Sequence, residues 1–235
     1  MTRRLQKTWH QMNAENSWTM FKVLSEFVEG FEKMNRIGPC VSIFGSARTK
    51  PGAKYYELAS KIAYRLCEEG YGVITGGGPG IMEAGNKGAQ EADGVSVGLN
   101  IDLPFEQNSN RFIDHDKNIF HRYFFIRKVM FVKYAQAFVA MPGGFGTLDG
   151  LFEVLTLIQT TKISKVPVIL FGSDFWTGMK DWIVQVMLEE HGNISPGDLD
   201  LIPIVDDVED VIKIINDFYE GTGHKGELEP NYTLI

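Results

Sequence analysis

Three glycine-rich turns, each placed directly after a short apolar run, restrict the chain most strongly to one kind of fold. They are residues 45–48 (Gly-Ser-Ala-Arg), residues 76–80 (Gly-Gly-Gly-Pro-Gly) and residues 142–147 (Pro-Gly-Gly-Phe-Gly-Thr). Continuous apolar runs are typical of strands that are buried on both faces of a parallel sheet. In such sheets ligands bind beyond the carboxyl ends of the strands, and phosphates sit where the next helix begins. The turns therefore predict a parallel α/β sheet with an anion site at one edge.

The remaining pattern alternates between β-rich runs and amphipathic stretches, which predicts a Rossmann-like, doubly wound parallel sheet flanked by helices. We expect strands at residues 40–44, 72–75, 95–100, 137–141, 168–171 and 201–205. We expect helices over 55–66, closed by Gly70, and near 80–91, 123–134, 147–160, 175–190 and 208–219. A leading helix capped by Ser17 is predicted because apolar residues recur every three or four positions from Trp18 to Met34.

The length of 235 residues and the 44% of hydrophobic residues predict a single α/β domain with a substantial core. We divide the chain into a helical extension (1–36), a nucleotide-binding domain (37–220) and a polar tail (221–235). The net charge of -7 disfavours nucleic acid and anionic membranes as partners.

The two cysteines have neither the number nor the spacing of a disulfide framework or a zinc site, which favours a reducing compartment. The first residues lack the apolar stretch of a signal peptide, and no run approaches the ~20 apolar residues of a membrane span. We therefore expect a cytoplasmic protein.

None of the three turns matches the G-x-G-x-x-G fingerprint of dinucleotide oxidoreductases, and the phosphate-binding loop G-x-x-x-x-G-K-[ST] is absent from the sequence. A mononucleotide or sugar-phosphate site remains. A single glycine-rich turn is equally compatible with a tight strand-to-helix connection that binds nothing. Three such turns after successive strands favour a ligand site.

Residues 76–83 (Gly-Gly-Gly-Pro-Gly-Ile-Met-Glu), the pair Arg127-Lys128 and residues 142–147 together resemble the LOG family, also labelled "possible lysine decarboxylase". The resemblance covers roughly residues 40–171, and the long leading helix is similar to the longer-chain branch. It implies cleavage of the N-glycosidic bond of a purine nucleoside 5′-monophosphate (AMP or an N6-modified AMP) to base and ribose 5-phosphate, as in cytokinin biosynthesis. It also implies a homodimer or larger homo-oligomer without metal or cofactor. The decarboxylase label would imply pyridoxal phosphate, for which nothing in the sequence argues.

The resemblance assigns substrate binding to nine residues: Glu106, Arg127, Lys128, Gly143, Gly144, Phe145, Gly146, Thr147 and Thr156. Arg127 can neutralise phosphate or the departing base as a fixed cation, because its pKa is too high for it to donate a proton readily. Glu106 could hold the ribose hydroxyls. The alternatives are a solvated helix face for the two cations and a loop carboxylate without a role for Glu106.

The sequence departs from the family at Gly150, where the motif P-G-G-x-G-T-x-x-E ends in a glutamate thought to be catalytic. Cleavage of a glycosidic bond needs a carboxylate near the developing positive charge. Asp149 is adjacent, but neighbouring helical residues point ~100° apart, so a shifted role for Asp149 is a second hypothesis. A glycine here is compatible with natural divergence or with an introduced change. We therefore expect an impaired hydrolase, or alternatively a non-catalytic nucleotide or phospho-ligand carrier on the same fold.

Other polar residues near these motifs are expected at the surface or in loops, namely Glu83, His115 and His121. The helices near 123–134 and 147–160 are expected to contribute to the contact between subunits. The aromatic residues of 120–131 exceed what one helix face needs for its own core.

Overall fold

A single sheet of seven parallel strands forms the centre of the molecule in the computed structural model, which describes residues 9–102, 109–221 and 228–230. The strands are β1 (Cys40–Phe44), β2 (Gly72–Thr75), β3 (Ser96–Ile101), β4 (Asn118–His121), β5 (Ala135–Ala140), β6 (Val168–Phe171) and β7 (Ile204–Val205). Their spatial order is β4-β3-β2-β1-β5-β6-β7, and every neighbouring pair is parallel. The Rossmann-like parallel sheet predicted from the turns is confirmed.

Helices cover both faces of the sheet, because successive strand residues point to opposite sides. They are α1 (Trp9–Met34), α2 (Lys54–Glu68), α3 (Ile81–Glu91), α4 (Phe124–Tyr134), α5 (Phe145–Gln159), α6 (Ser173–Trp182) and α7 (Val208–Gly221). Helices α2, α3 and α7 pack with Val41 and Val139 on one face. Helices α4, α5 and α6 pack on the other, where Phe138 and Trp176 are fully buried.

Several predicted boundaries are wrong. Strand β4 was missed because it is a short edge strand preceded by a polar turn, the 3₁₀ segment His115–Lys117. The predicted helix over 175–190 is α6 followed by a π-helix, Ile183–Glu190. The predicted strand over 201–205 begins only at Ile204, because Pro196–Leu201 forms a 3₁₀ helix.

The leading helix differs most from its prediction. Helix α1 begins at Trp9 and passes through Ser17, which therefore does not cap it, since no Gly or Pro interrupts the preceding segment. Its apolar residues do not form one buried stripe. Met34 is buried, whereas four other apolar residues of the helix are largely exposed: Trp18, Phe21, Leu24 and Val28.

Helix α1 supports α4 at several points. The Glu26 carboxylate accepts the backbone N–H groups of Arg122 at 3.0 Å and Tyr123 at 3.4 Å, which satisfies donors at the start of α4. At the other end, the Tyr134 hydroxyl donates to Asn35 Oδ1 at 2.7 Å. The leading helix thereby fixes the direction of α4, which carries Arg127 and Lys128.

Within the part of the chain that the structure describes, no helix is long and apolar enough to cross a membrane.

Candidate functional site

The candidate site lies where the sheet order reverses. From β1 the chain moves outward through β2, β3 and β4, and it then returns to the other side of β1 at β5. Such a reversal leaves a crevice at the carboxyl ends of the two central strands, and open α/β sheets bind ligands there. In this molecule the turns after β1, β2 and β5 line a cleft of about 970 Å³.

Backbone hydrogen bonds join the three glycine-rich turns. The Ser46 N–H donates to the Pro142 carbonyl at 3.1 Å, and the Ser46 carbonyl accepts the N–H of Ile81 at 3.0 Å. Gly80 has a φ of 70°, and a Cβ on it would collide with the Ser46 carbonyl, so only glycine fits this junction. The turns that were singled out by sequence therefore form one continuous surface.

The first turn of α5 has the geometry of an anion cradle. Gly144 precedes the helix, and the first N–H groups of a helix have no carbonyl four residues earlier to bond. The Thr147 N–H donates to the Gly144 carbonyl at 3.0 Å, so the donors that remain for an anion are those of the residues before it. Thr147 is buried, and its hydroxyl lies so close to Gly143 that a Cβ there would collide with it. The loop brings backbone N–H groups and one hydroxyl donor together, which suits a phosphate. The start of α3 is less available, because the Ile81 N–H already donates to Ser46.

A buried polar network holds the triple-glycine turn in place. Asn86 is fully buried; its Oδ1 accepts from the Thr75 hydroxyl at 2.5 Å and from Asn110 Nδ2 at 2.9 Å. Asn110 Nδ2 also donates to the carbonyls of Gly77 and Gly78, both at 3.1 Å. The turn is therefore fixed by side chains from α3 and from the segment that precedes β4.

Arg127 borders the cleft opposite the α5 loop. Its guanidinium carbon lies 4.5 Å from the ring centroid of Phe124 and 5.8 Å from that of Phe131. Its Nε atom is buried and has no hydrogen-bond partner among the described residues. Burial lowers the pKa of Arg127, and the negative charge of Asp149 opposes this shift. An arginine stays charged under these conditions, so the cleft is lined by a cation that can donate hydrogen bonds to a ligand.

Lys128 connects α4 to α5 through two carboxylates. Its Nζ lies 2.8 Å from Asp149 Oδ1 and 3.3 Å from Glu153 Oε2. Burial would lower the pKa of Lys128, but the hydrogen bonds and charges of Asp149 and Glu153 raise it overall. Lys128 is therefore not a freely solvated cation. The sequence analysis assigned Glu153 no role; its spacing of four residues from Asp149 was the available signal.

Gly150 lies on the cleft side of α5. The nearest atoms to a Cβ added to it would be those of the Phe44 ring, with 3.2 Å to Cε2 as the shortest contact. Among the described residues, the carboxylates that line the cleft are Asp149 and Glu153. The cleft therefore has no carboxylate at the position where the family motif has its glutamate.

Two residues assigned to substrate binding are not among those that line the cleft. The prediction for Glu106 falls on residues 103–108, which lie outside the described residues. The structure places Thr156 on the exposed side of α5, where its hydroxyl donates to the Phe152 carbonyl at 2.7 Å. It borders a shallow groove that also includes Phe145, whose side chain is 92% exposed.

Two of the three expected surface positions are wrong. Glu83 is half-buried and accepts a hydrogen bond from the Tyr56 hydroxyl at 2.7 Å. His121 is buried at the end of β4, and neither ring nitrogen has a hydrogen-bond partner among the described residues. Burial, together with the positive charge of Arg127, lowers the pKa of His121 to about 4. The third, His115, is exposed as expected.

These features define a Rossmann-like α/β protein with a glycine-lined cleft at the switch point of its sheet. The chain belongs to the family described as "Possible lysine decarboxylase", the LOG family, which matches residues 82–215.

Among curated relatives, the chain is 27% identical over 164 residues to a cytokinin riboside 5′-monophosphate phosphoribohydrolase of Mycobacterium tuberculosis. That match covers 68% of this chain and 85% of the relative. A protein of the same name from Rhodococcoides fascians is 26% identical over 180 residues, which is 74% of this chain and 88% of the relative.

Solved structures share the fold. A molybdenum cofactor carrier protein from Chlamydomonas reinhardtii has a TM-score of 0.58 at 21% identity, covering 77% of this chain and 98% of that one. A molybdenum cofactor binding protein from Rippkaea orientalis has a TM-score of 0.54, also at 21% identity, covering 77% and 95%.

Proposed function

We propose that this protein is a nucleoside 5′-monophosphate N-glycosidase, which acts on AMP or an N6-modified AMP and releases the base and ribose 5-phosphate. The observation that carries the proposal is the cleft itself, which the α5 loop and the Arg127 side chain line together. The curated relatives, named as phosphoribohydrolases, support the same reaction class.

The 5′-phosphate would rest on Gly143, Gly144 and the N–H groups of the first turn of α5, with the Thr147 hydroxyl as an additional donor. The ribose would then lie over the next residues of that helix, beside Gly150. A Cβ on Gly76 would lie 3.7 Å from Arg127 Nη1, so the guanidinium reaches toward the triple-glycine turn. From there it can stabilise negative charge on the departing base as the glycosidic bond breaks.

Turnover is expected to be slow, because position 150 provides no carboxylate. The alternative function is a carrier that binds a nucleotide or another phospho-ligand without cleaving it. The gap at Gly150 favours that alternative, and the cleft volume of about 970 Å³ accommodates ligands larger than a mononucleotide.

Calorimetry with AMP and adenosine tests the phosphate cradle, and two neighbouring glycines provide a matched pair of variants. Gly143→Ala places a methyl group against Thr147, whereas a Cβ on Gly144 meets nothing within 4 Å. We expect AMP to bind at least about tenfold more tightly than adenosine. Gly143→Ala should remove most of that difference, and Gly144→Ala should retain it. Equal affinity for AMP and adenosine in the unmodified protein would refute the cradle.

Release of free adenine from AMP, followed by chromatography, separates the two functions. Slow release supports the hydrolase. Binding without release, even when a carboxylate is introduced at position 150, supports the carrier.

We also propose that the protein assembles as a homodimer or larger homo-oligomer. Aromatic side chains are exposed on adjoining elements of the cleft side: Phe120, Phe124, Phe125, Phe145 and Phe152. Exposed aromatic surface of this kind is typical of protein contacts. The two free cysteines are in keeping with a cytoplasmic location.

A further inference from the structure

We infer that Glu153 replaces the missing carboxylate of position 150 and acts as the general base in the slow hydrolysis of a purine nucleoside 5′-monophosphate. This inference rests on the proposed function, because it assigns a role within the same cleft. It differs from the Asp149 hypothesis, which the sequence suggested through adjacency alone.

The geometry of an α-helix brings Glu153 back to the level of Gly150. Side chains in a helix tilt toward its N-terminus, so each one covers the turn that precedes its own Cα. Glu153 follows Gly150 by three residues and shares its face of the helix. The contact of one Lys128 ammonium with Asp149 Oδ1 and Glu153 Oε2 shows that the Glu153 carboxylate does reach the preceding turn.

Gly150 itself puts no side-chain atom on this face of the helix. A Cβ at position 150 would lie 3.2 Å from Phe44 Cε2, on the face that Glu153 shares, so a larger residue there would compete with Glu153 for space. The absence of a side chain at 150 therefore removes one carboxylate from the cleft and also gives a second one access to it.

Glu153 is better placed than Asp149 for this role. Both carboxylates border the cleft and the shallow groove, but the side chain of Glu153 is 31% exposed, compared with 47% for Asp149. Asp149 holds Lys128 at the shorter distance, 2.8 Å against 3.3 Å. Asp149 can therefore keep the ammonium in place while Glu153, on its longer stem, turns toward the sugar.

In the proposed step, a water molecule adds to C1′ of the ribose as the bond between C1′ and the base nitrogen breaks. The electron pair of that bond leaves with the base. Glu153 takes one proton from the attacking water, and the departing base takes up a proton from solvent. Transfer of the Glu153 proton to solvent restores the carboxylate, so that the net reaction consumes one water molecule.

The test compares Glu153→Gln in two backgrounds, the unmodified chain and Gly150→Glu. In the unmodified chain we expect the substitution to lower the rate of adenine release by ~10²-fold, with the affinity for AMP nearly unchanged. In the Gly150→Glu background the loss should be below about tenfold, because the introduced glutamate supplies the base. A purely structural role for Glu153 would cost the same factor in both backgrounds.

Glu91→Gln serves as the control, since Glu91 is an exposed carboxylate on α3 that pairs with Lys87 at 3.6 Å. Glu153→Asp, which keeps the charge and shortens the stem, replaces the glutamine variant if the latter does not fold. Asp149→Asn should cost less than Glu153→Gln.

Equal losses in the two backgrounds, or unchanged turnover of Glu153→Gln in the unmodified chain, would overturn the role of Glu153 and leave the hydrolase function intact. An unmodified chain without turnover would also overturn that role. In that case the hydrolase function survives only if Gly150→Glu releases adenine.

Discussion

Replacing Gly150 with glutamate is the most direct test of the function proposed for the cleft. Position 150 lies in the first half of α5, beside the place where the ribose of a bound nucleotide is proposed to lie. A carboxylate there would face the positive charge that develops at C1′. A well-placed catalytic carboxylate contributes ~10²–10⁴-fold in rate, which corresponds to ~3–5 kcal/mol. We expect Gly150→Glu to raise the rate of adenine release from AMP by such a factor.

The local packing determines whether the fold accepts the change. The backbone at Gly150 is helical, and replacing a helical glycine by alanine stabilises a helix by ~1 kcal/mol. Against this, the new Cβ would lie 3.2 Å from Phe44 Cε2, and that ring packs on Phe131 with centroids 5.2 Å apart. Forcing a ring aside in a packed core costs ~1–3 kcal/mol. The net effect is a destabilisation of no more than ~2 kcal/mol, so the thermal midpoint should fall by no more than about 8 °C.

Two control variants separate these contributions. Gly150→Ala reports the helix and packing effects without a functional group, and Gly150→Gln adds the bulk of the side chain without its charge. We expect neither to release adenine faster than the unmodified chain, and both to release it more slowly, because a side chain at position 150 would fill the space through which Glu153 is proposed to reach the cleft. If Gly150→Gln accelerates adenine release as much as Gly150→Glu, the acceleration does not come from a charge at this position. The catalytic role proposed for a carboxylate at position 150 is then wrong.

Three further outcomes are expected from the same structure. Light scattering at micromolar concentration should give about twice the chain mass of 26.4 kDa or more, and Phe145→Asp should shift it toward the monomer; a monomeric unmodified chain would contradict the assembly. Because His121 is buried with a pKa of about 4 against 6.5 when unfolded, stability should be full above pH 6.5 and fall by on the order of 3 kcal/mol toward pH 4. His121→Asn should weaken this pH dependence of stability in thermal melts. An unaltered pH dependence would show that His121 is not its cause. Asn86→Ala should lower the free energy of unfolding by ~2–4 kcal/mol in urea titrations, because its buried partners lose their bonds, whereas the neighbouring Lys87→Ala should cost less than about 0.5 kcal/mol.

Much of this fold follows from local sequence patterns. Apolar runs such as 40–44 and 168–171 coincide with β1 and β6, because a strand buried on both faces requires nearly every residue to be apolar. The glycine-rich turns were recognisable for a similar reason. Positive φ angles at Gly77 and Gly80, and the collision that a Cβ at Gly143 would cause, leave glycine as the residue that fits. A local requirement of this kind is visible in the sequence itself.

The tertiary structure alone decided the features that depend on contacts between distant segments. The edge strand β4 exists because it pairs with β3, and α4 is held in place by Glu26 and Asn35 of the distant helix α1. His121 is buried because α1 and α4 pack over it. Gly30 of α1 lies against Met130 of α4 beside the His121 ring. The bridge from Lys128 to Asp149 and Glu153 likewise depends on the packing of α4 against α5. No periodicity within one helix encodes the distance to another helix, because that distance results from the packing of the whole core.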